Sequence, residues 1–473
     1  MGEAKKINWI HYAVVFLFCM FFRFIPGFAG ITEYGMGIVG CFIGAIYGWM
    51  TIGMFWPSVM ALTGMCWSLG YQAVLNASFG NMAVFGLMLC IPVIAICNET
   101  GAFGWLINKI LTSKALQGKG WVTVWIILLA AFGVGFTNPI IMCMVFCQFV
   151  TTICKQVGIE KNEKAPIFIY LGVAFASMLG QILFPFMGTG LTLIMAYNVM
   201  FPDFPLDFIS YILFILPMAL ILITIYVLLC KFVFRVDVSK ISNFESEGET
   251  PKITREQKIA FGVFLTFLIT MIISSLELGA VSAFLKKFSM VGITLFLLCV
   301  IELLKDSNGN QIMNPEKACR DIPWGQVVMI GFIMVIATYM NTPETGVPAA
   351  MAKLLTPFTS LPPLVFVIVA LFIAVVLTNI ANNMIVIILV MPFMFNFSQV
   401  IGMAPTGMIA LLFITAQLAL ATPAASPVAA VAMGNEMADP SKMTKAALMI
   451  LPILFVLCIA IGWVFAKIIF YVC

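Results

Sequence analysis

Charge is the scarcest commodity in this chain of 473 residues: Asp, Glu, Lys and Arg together make up 9% of it. A water-soluble surface needs far more, so a soluble enzyme, a receptor with a large globular head and a nucleic-acid-binding protein are all excluded. Histidine is nearly absent, with His11 alone at the start of the first apolar run, which leaves a His-based metal site or a Ser-His-Asp triad without components. The 13 cysteines form no CxxC pair and lie mostly inside apolar runs, so they are expected to be free thiols, with Cys143 and Cys147 sharing a helix face at best. A cleavable leader is not apparent either, since a retained first span better suits the run from Trp9 onward.

What is present is hydrophobicity. The chain is 63% apolar, with 43 Phe and 32 Met, and these Met and Phe stripes are expected in the core or against lipid. Eleven apolar runs, at 9–29, 36–54, 57–75, 81–98, 165–199, 208–234, 258–276, 288–304, 323–340, 408–433 and 446–472, read as spans of a polytopic all-α membrane protein. Two more runs, 121–154 and 362–400, are too long for one span and carry Gly, Pro or Asn near the middle. Each reads as a re-entrant hairpin, a helix returning to its own side of the bilayer. With a cytoplasmic amino terminus, 19 of the 24 basic residues fall in inside segments, which places the carboxy terminus at Cys473 outside and the protein in the cytoplasmic membrane. The net charge of +4 is then a topology signal in a lipid-embedded chain and carries no message about nucleic acid.

Between 237 and 257 the chain turns polar, with almost no large apolar residues, and reads as a solvated cytoplasmic linker. It divides the chain into a first span (1–30), a first repeat (31–236) and a second repeat (258–473). The repeats share an order of features. Glu99-Thr100-Gly101 recurs 245 residues later as Glu344-Thr345-Gly346, and at the same offset Asn138 recurs as Asn383. Ile110-Leu111-Thr112 is echoed by Leu354-Leu355-Thr356, and Gln156-Val157 by Gln399-Val400. A proline then interrupts the next run in each, Pro185 and Pro423. A duplicated unit of five spans inserts upside down relative to its twin, the inverted-repeat pattern of secondary transporters.

Polar residues in these interruptions are the site candidates. In the charge-free stretch 364–395, Thr378, Asn379, Asn382 and Asn383 need partners, because an unpaired amide at membrane depth costs several kcal/mol. Thr137 and Asn138 are their counterparts in the first hairpin. The segments with Pro185, Gly188 and Thr189, and with Thr422, Pro423 and Ser426, combine helix breakers with small polar residues, so the backbone should unwind there. Freed carbonyls near Gly188 and Ser426, with the tip residues Asn138 and Asn383, would hold a cation, and helix N-termini beyond the breaks would face an anion without a buried Lys or Arg. Glu99 and Glu344 stand at span ends and read as interfacial residues; Asn98 and Asn341 read as helix-end residues.

These residues resemble the divalent anion:sodium symporter family, the INDY-type carboxylate transporters of the ion transporter superfamily. Thr137-Asn138-Pro139 and Asn382-Asn383-Met384 are similar to the family's Ser-Asn-Thr hairpin tips, and Leu377-Thr378-Asn379 to its Leu-Thr-Glu. Pro423-Ala424-Ala425-Ser426-Pro427 is similar to Pro-x-Ala-Thr-Pro, and Ile322-Pro323-Trp324-Gly325 to the family's approach to the second hairpin. The resemblance implies a homodimer of scaffold and transport domains, an elevator mechanism, and sodium-driven uptake of a di- or tricarboxylate with sodium as coupling ion and no further cofactor. Pro139, Met384 and Asn382 stand where the family has Thr, Thr and Ser, so the substrate, coupling ion and stoichiometry stay open. Anion exchange, cation/proton exchange, oxyanion efflux, a channel and a membrane-embedded enzyme are the competing classes. Cation/proton exchange and catalysis fare worst, since no Asp lies inside a span and no catalytic cluster is visible.

Overall fold

The computed structural model describes residues 9–28, 30–112, 119–244, 252–276, 279–320, 322–340, 342–358 and 360–470, and it is built of helices. The first half runs α1 (Trp9–Phe21), α2 (Glu33–Thr51), α3 (Phe55–Leu69), α4 (Tyr71–Ala77), α5 (Met82–Glu99), α6 (Ala102–Leu111), α7 (Gly120–Gly135), α8 (Pro139–Gln156), α9 (Lys164–Gln181), α10 (Gly188–Met200) and α11 (Phe208–Leu228). The second runs α12 (Arg255–Ser275), α13 (Ala280–Leu303), α14 (Pro315–Arg320), α15 (Trp324–Tyr339), α16 (Val347–Leu355), α17 (Pro363–Thr378), α18 (Asn383–Val400), α19 (Thr406–Thr415), α20 (Pro427–Met433) and α21 (Pro440–Phe470). Among the described residues, eight helices are long and apolar enough to cross a bilayer, or ten if each of two bent pairs counts as one span. The sequence reading counts eleven spans by apolar run, with breaks at Pro185 and Pro423 inside two of them. The runs at 165–199 and 408–433 are each broken into two helices, and those at 9–29, 57–75 and 323–340 yield helices of 13, 15 and 16 residues. Lys5, Lys6, Lys114, Asn341 and Cys473, on which parts of the sequence reading rest, lie outside the described residues.

The repeated tripeptides mark equivalent backbone events. Gly101 (φ 67°) joins α5 to α6, which diverge by 58°, and Gly346 (φ 68°) precedes α16 in the second half. Both glycines occupy the left-handed region. At Gly346 a Cβ atom would also stand 2.0 Å from the Gly30 carbonyl oxygen, because the loop before α2 is clamped here: Thr32 donates from its backbone N–H to Thr345 O (3.0 Å) and from Oγ1 to Glu344 O (2.8 Å). Gln257, in the first turn of α12, makes a weaker link of the same kind to Thr100 O (3.4 Å).

Inside a bilayer the lipid is as apolar as the helices, so packing depends on close approach of small residues. Gly40, Gly44 and Gly48 present α2 to α1 and α3 with no room for a Cβ. α7 crosses α9 as closely: a Cβ at Gly180 would lie 2.3 Å from Phe132 O, and one at Gly135 would lie 2.7 Å from Ser177 O. Packing between the halves is reciprocal, with α5 against α13 and α3 against α15, and likewise α8 against α20 and α10 against α18.

Beyond α11 the structure differs from the expected solvated linker. Val236, Val238, Ile241 and Phe244 are buried, Gly120 N–H donates to Ser242 Oγ (2.9 Å), and Phe244 meets Phe149 edge-on. Apolar residues spaced two and three apart among polar ones gave this segment a face to bury against the base of α7 and α8. Residues 245–251 lie outside the described residues, and α12 already begins at Arg255 behind a capping box of Thr254 and Gln257. A second polar clamp joins the loop after α8 to the loop before α21. Asn162 exchanges two hydrogen bonds with Asp439 (2.8 and 2.7 Å), and Lys161 pairs with the same carboxylate (3.0 Å).

Two predictions follow from this packing. Gly180→Val should cost about 1–3 kcal/mol, seen as a lower thermal-unfolding midpoint of the detergent-purified protein; an unchanged midpoint would mean that α7 and α9 do not cross this closely. The Lys161 ammonium, then the Asn162 amide, hold the Asp439 carboxyl below its ordinary range. Stability from this clamp is therefore present above the ordinary carboxylate range and is lost as pH falls through the lowered value. Asp439→Asn should lower the midpoint at neutral pH and converge with the parent protein in acid, whereas a gap of constant size across pH would show that the carboxylate charge is not involved.

Candidate functional site

The first hairpin turns at residues 136–138. Asn138 stands extended (φ −159°, ψ 98°) and its Oδ1 accepts from Ile140 N (3.2 Å) and Ile141 N (3.1 Å), capping α8, with Pro139 at the first helical position where no N–H is needed. The Thr137 hydroxyl donates to Val134 O (2.8 Å). The crossing at Gly135 and Gly180 sets this tip beside the break that follows α9. There the chain leaves the helix at Gln181, and Tyr211 Oη closes off the Ile182 carbonyl (2.6 Å). Helical structure resumes at Gly188 (φ 55°), followed by Thr189. Pro185 is buried within the break.

The second hairpin turns at residues 379–382, beside a longer break at 416–426. Thr378 is fully buried and donates to Ala416 O (3.2 Å). Asn379 donates to Val375 O (2.8 Å) and Leu418 O (2.9 Å) and accepts from Ala421 N (2.7 Å), while Thr422 Oγ1 donates to the Asn379 carbonyl (2.7 Å). These three residues hold the tip to the unwound segment. Asn382 is the residue that caps α18, its Oδ1 accepting from Met384 N (3.0 Å). By capping role it is therefore Asn382, one position before Asn383, that corresponds to Asn138. Asn383 turns inward: its Oδ1 also accepts from Met384 N (2.9 Å), and its Nδ2 donates to Gln417 Oε1 (2.9 Å). Ser426 caps α20 through Ala429 N (3.0 Å) and donates to Met178 Sδ (3.2 Å).

Both tips and both breaks border one cleft of about 1010 Å³. Thr137, Asn138, Gly188, Thr189, Asn382, Asn383 and Ser426 line it; Pro185, Thr378, Asn379, Thr422 and Pro423 do not, and Pro423 is exposed elsewhere. Its lining includes no Lys or Arg, and Glu99, with Asn98 beside it, is the one carboxylate there among the described residues. Glu344 stays outside the cleft and is exposed, so the two matching tripeptides share a backbone shape but place their carboxylates differently. The N-termini of α8 and α18, each 18 residues long, open at the capped tips. Each contributes roughly half a positive charge at its end.

Two residues here escaped sequence reasoning. Gln181 donates from Nε2 to Gln417 Oε1 (2.8 Å), and Gln417 donates from Nε2 to Phe413 O (2.9 Å). The chain Gln181–Gln417–Asn383 thus joins the break of the first half to the break and tip of the second. The available signal was a glutamine a few residues ahead of each breaker proline, in otherwise charge-free runs. The cysteines play no part as bridges: all twelve among the described residues are free.

Comparison with known proteins places this architecture. The model of the citrate transporter family (CitMHS) matches residues 6–416. An uncharacterized transporter of Haemophilus influenzae is 21% identical over 368 residues, 76% of this chain and 77% of the relative. The YdaH transporter of Alcanivorax borkumensis superposes with a TM-score of 0.59 at 12% identity, covering 85% of this chain and 89% of that one. MtrF of Neisseria gonorrhoeae, described as illuminating a class of antimetabolite efflux pumps, gives 0.54 at 14% identity, covering 85% of each. The two structural likenesses are likenesses of fold. With most of its length matched by the family model, this multi-pass membrane protein is a transporter and not an enzyme, and it belongs to the citrate transporter family.

Proposed function

We propose that the protein is a cation-coupled secondary transporter of a small organic anion, a di- or tricarboxylate with citrate the first candidate, and that sodium is the coupling ion. The observation that carries this reading is the meeting of both hairpin tips and both broken helices, one set from each half, in a single cleft without Lys or Arg. A charge estimate favours coupling. The N-termini of α8 and α18 together supply about one positive charge, and the half charge from α10 is offset by the C-terminus of α9, with about half a negative charge. A di- or tricarboxylate brings two or three negative charges, so at least about one cation must enter with it for the cleft to approach neutrality. Asn138 and Asn383 are the tip ligands in this reading, with carbonyls near Gly188 and Ser426 completing the cation sites.

The reciprocal helix packing and the matched glycine hinges support two inverted repeats, with the hairpins re-entering from opposite sides. The hairpins and broken helices form a transport domain that moves as an elevator against a scaffold, within a homodimer in the cytoplasmic membrane, amino terminus inside. Binding anion and cation in one neutral cleft makes the loaded carrier the form that crosses.

Uptake into proteoliposomes of labelled succinate, malate, citrate, sulfate and amino acids, with and without an inward sodium gradient, tests the reading. Citrate or a related carboxylate should accumulate in response to the gradient; no gradient-driven uptake of any carboxylate would sink it. Asn138→Ala removes both amide and cap, and the cap alone is worth ~1 kcal/mol. Asn138→Ser keeps a capping oxygen. Both should cut initial uptake at least about tenfold, a loss of roughly 1.4 kcal/mol in transition-state or ligand binding, with the Ser variant close to parental in thermal midpoint. Parental uptake in Asn138→Ser and Asn383→Ala would refute the tip-ligand assignment.

A further inference from the structure

The amide chain between the two breaks has a direction, and the direction decides what the cleft offers to a ligand. Phe413 O belongs to the last turn of α19, where the Gln417 backbone N–H bonds to Ile414 O instead (3.1 Å). The Gln417 side chain reaches the Phe413 carbonyl (2.9 Å), and only its NH₂ group can donate there. Its Oε1 is thereby turned toward Gln181 and Asn383. Asn383 agrees independently: its Oδ1 is engaged by Met384 N–H, so its NH₂ faces Gln417. With Gln417 fully buried and all its groups engaged in this way, Gln181 must also present NH₂ to Gln417 Oε1. The Gln181 Oε1 then has the cleft as its outlet, and it accepts no hydrogen bond from the described residues.

We infer that Gln181 is a cation ligand, offering its amide oxygen to a sodium ion in the cleft, and that Gln417 is the positioning residue that fixes this polarity. The inference rests on the cation-coupled reading and adds to it a ligand outside the hairpin tips. A reversed Gln181 amide would present two N–H donors, suited to a carboxylate and repellent to a cation. The surroundings of Gln181 favour the cation. It is the last residue of α9, 18 residues long, whose C-terminus carries about half a negative charge. The Thr189 hydroxyl, which lines the same cleft across the break, adds an oxygen with no protein partner among the described residues. The helix N-termini at Asn138 and Asn382 lie at the tips.

Thermal unfolding of the purified full-length protein, followed by a thiol-reactive dye on the buried cysteines, tests this without requiring transport. Sodium chloride replaces choline chloride at constant ionic strength. The parental midpoint should rise with sodium as ligand binding stabilises the folded state. Gln181→Leu should raise the half-saturating sodium concentration at least about tenfold, and Gln181→Asn, with a shorter reach, by less. Gln417→Met should raise it comparably, and the double variant should be no worse than Gln181→Leu alone, because Gln417 acts through Gln181. A parental protein indifferent to sodium would overturn the inference, as would a parental half-saturation in both Gln181 variants, or Gln181 and Gln417 effects that multiply. Absence of gradient-driven uptake of every carboxylate beside an intact, Gln181-dependent sodium response would refute the carboxylate reading while leaving this site standing.

Discussion

A broken helix at membrane depth leaves backbone N–H and C=O groups that water is not there to satisfy. The centre of this protein is arranged around that constraint. In the longer break, Thr378 and Asn379 meet the carbonyls of Ala416 and Leu418 and the N–H of Ala421, and Thr422 answers the Asn379 carbonyl. In the shorter one, Tyr211 takes the Ile182 carbonyl from a neighbouring helix. Each such group would cost several kcal/mol if left alone. The polar residues that look most functional in the sequence are therefore of two kinds. Thr378, Asn379 and Thr422 hold the unwound backbone in place, and Asn138, Asn382, Asn383, Gln181 and Thr189 face the space that the unwinding creates.

That space has no Lys or Arg in its lining, yet it carries a field. Helix ends contribute partial charges whose positions are fixed by the backbone, and such charges need no desolvated Lys or Arg that would have to be neutralised when the cleft is empty. A lining dominated by amides, hydroxyls and apolar groups keeps the desolvation cost of the empty cleft low. Buried full charges would not.

Much of the architecture was legible from sequence. The runs 121–154 and 362–400 each fold as two helices whose outer ends lie within two residues of the run limits, because apolar stretches with Asn, Gly or Pro near the middle break there. The repeated Glu-Thr-Gly was legible because a left-handed turn between helices strongly prefers glycine. Less legible was the tip register. An offset of 245 residues matches Asn138 with Asn383, but the cap that defines the helix start falls on Asn382, since Asn383 is drawn inward by Gln417, 34 residues away in sequence. The segment after α11 was misread as solvated because its apolar residues are spaced two or three apart and show no run.

By itself, the sequence determined that this chain lives in a bilayer, where its helices must break and which residue types stand at the breaks, because these follow from hydrophobicity and from the backbone chemistry of Gly, Pro and Asn. Only the tertiary structure decided which polar residues prop the breaks and which face the cleft, and which way the Gln181 amide points. Those depend on partners far away in the chain, on a glycine crossing that brings α7 onto α9, and on a hydrogen-bond polarity passed from a single carbonyl at Phe413 across three side chains. No local pattern encodes a direction that is set by the far end of a network.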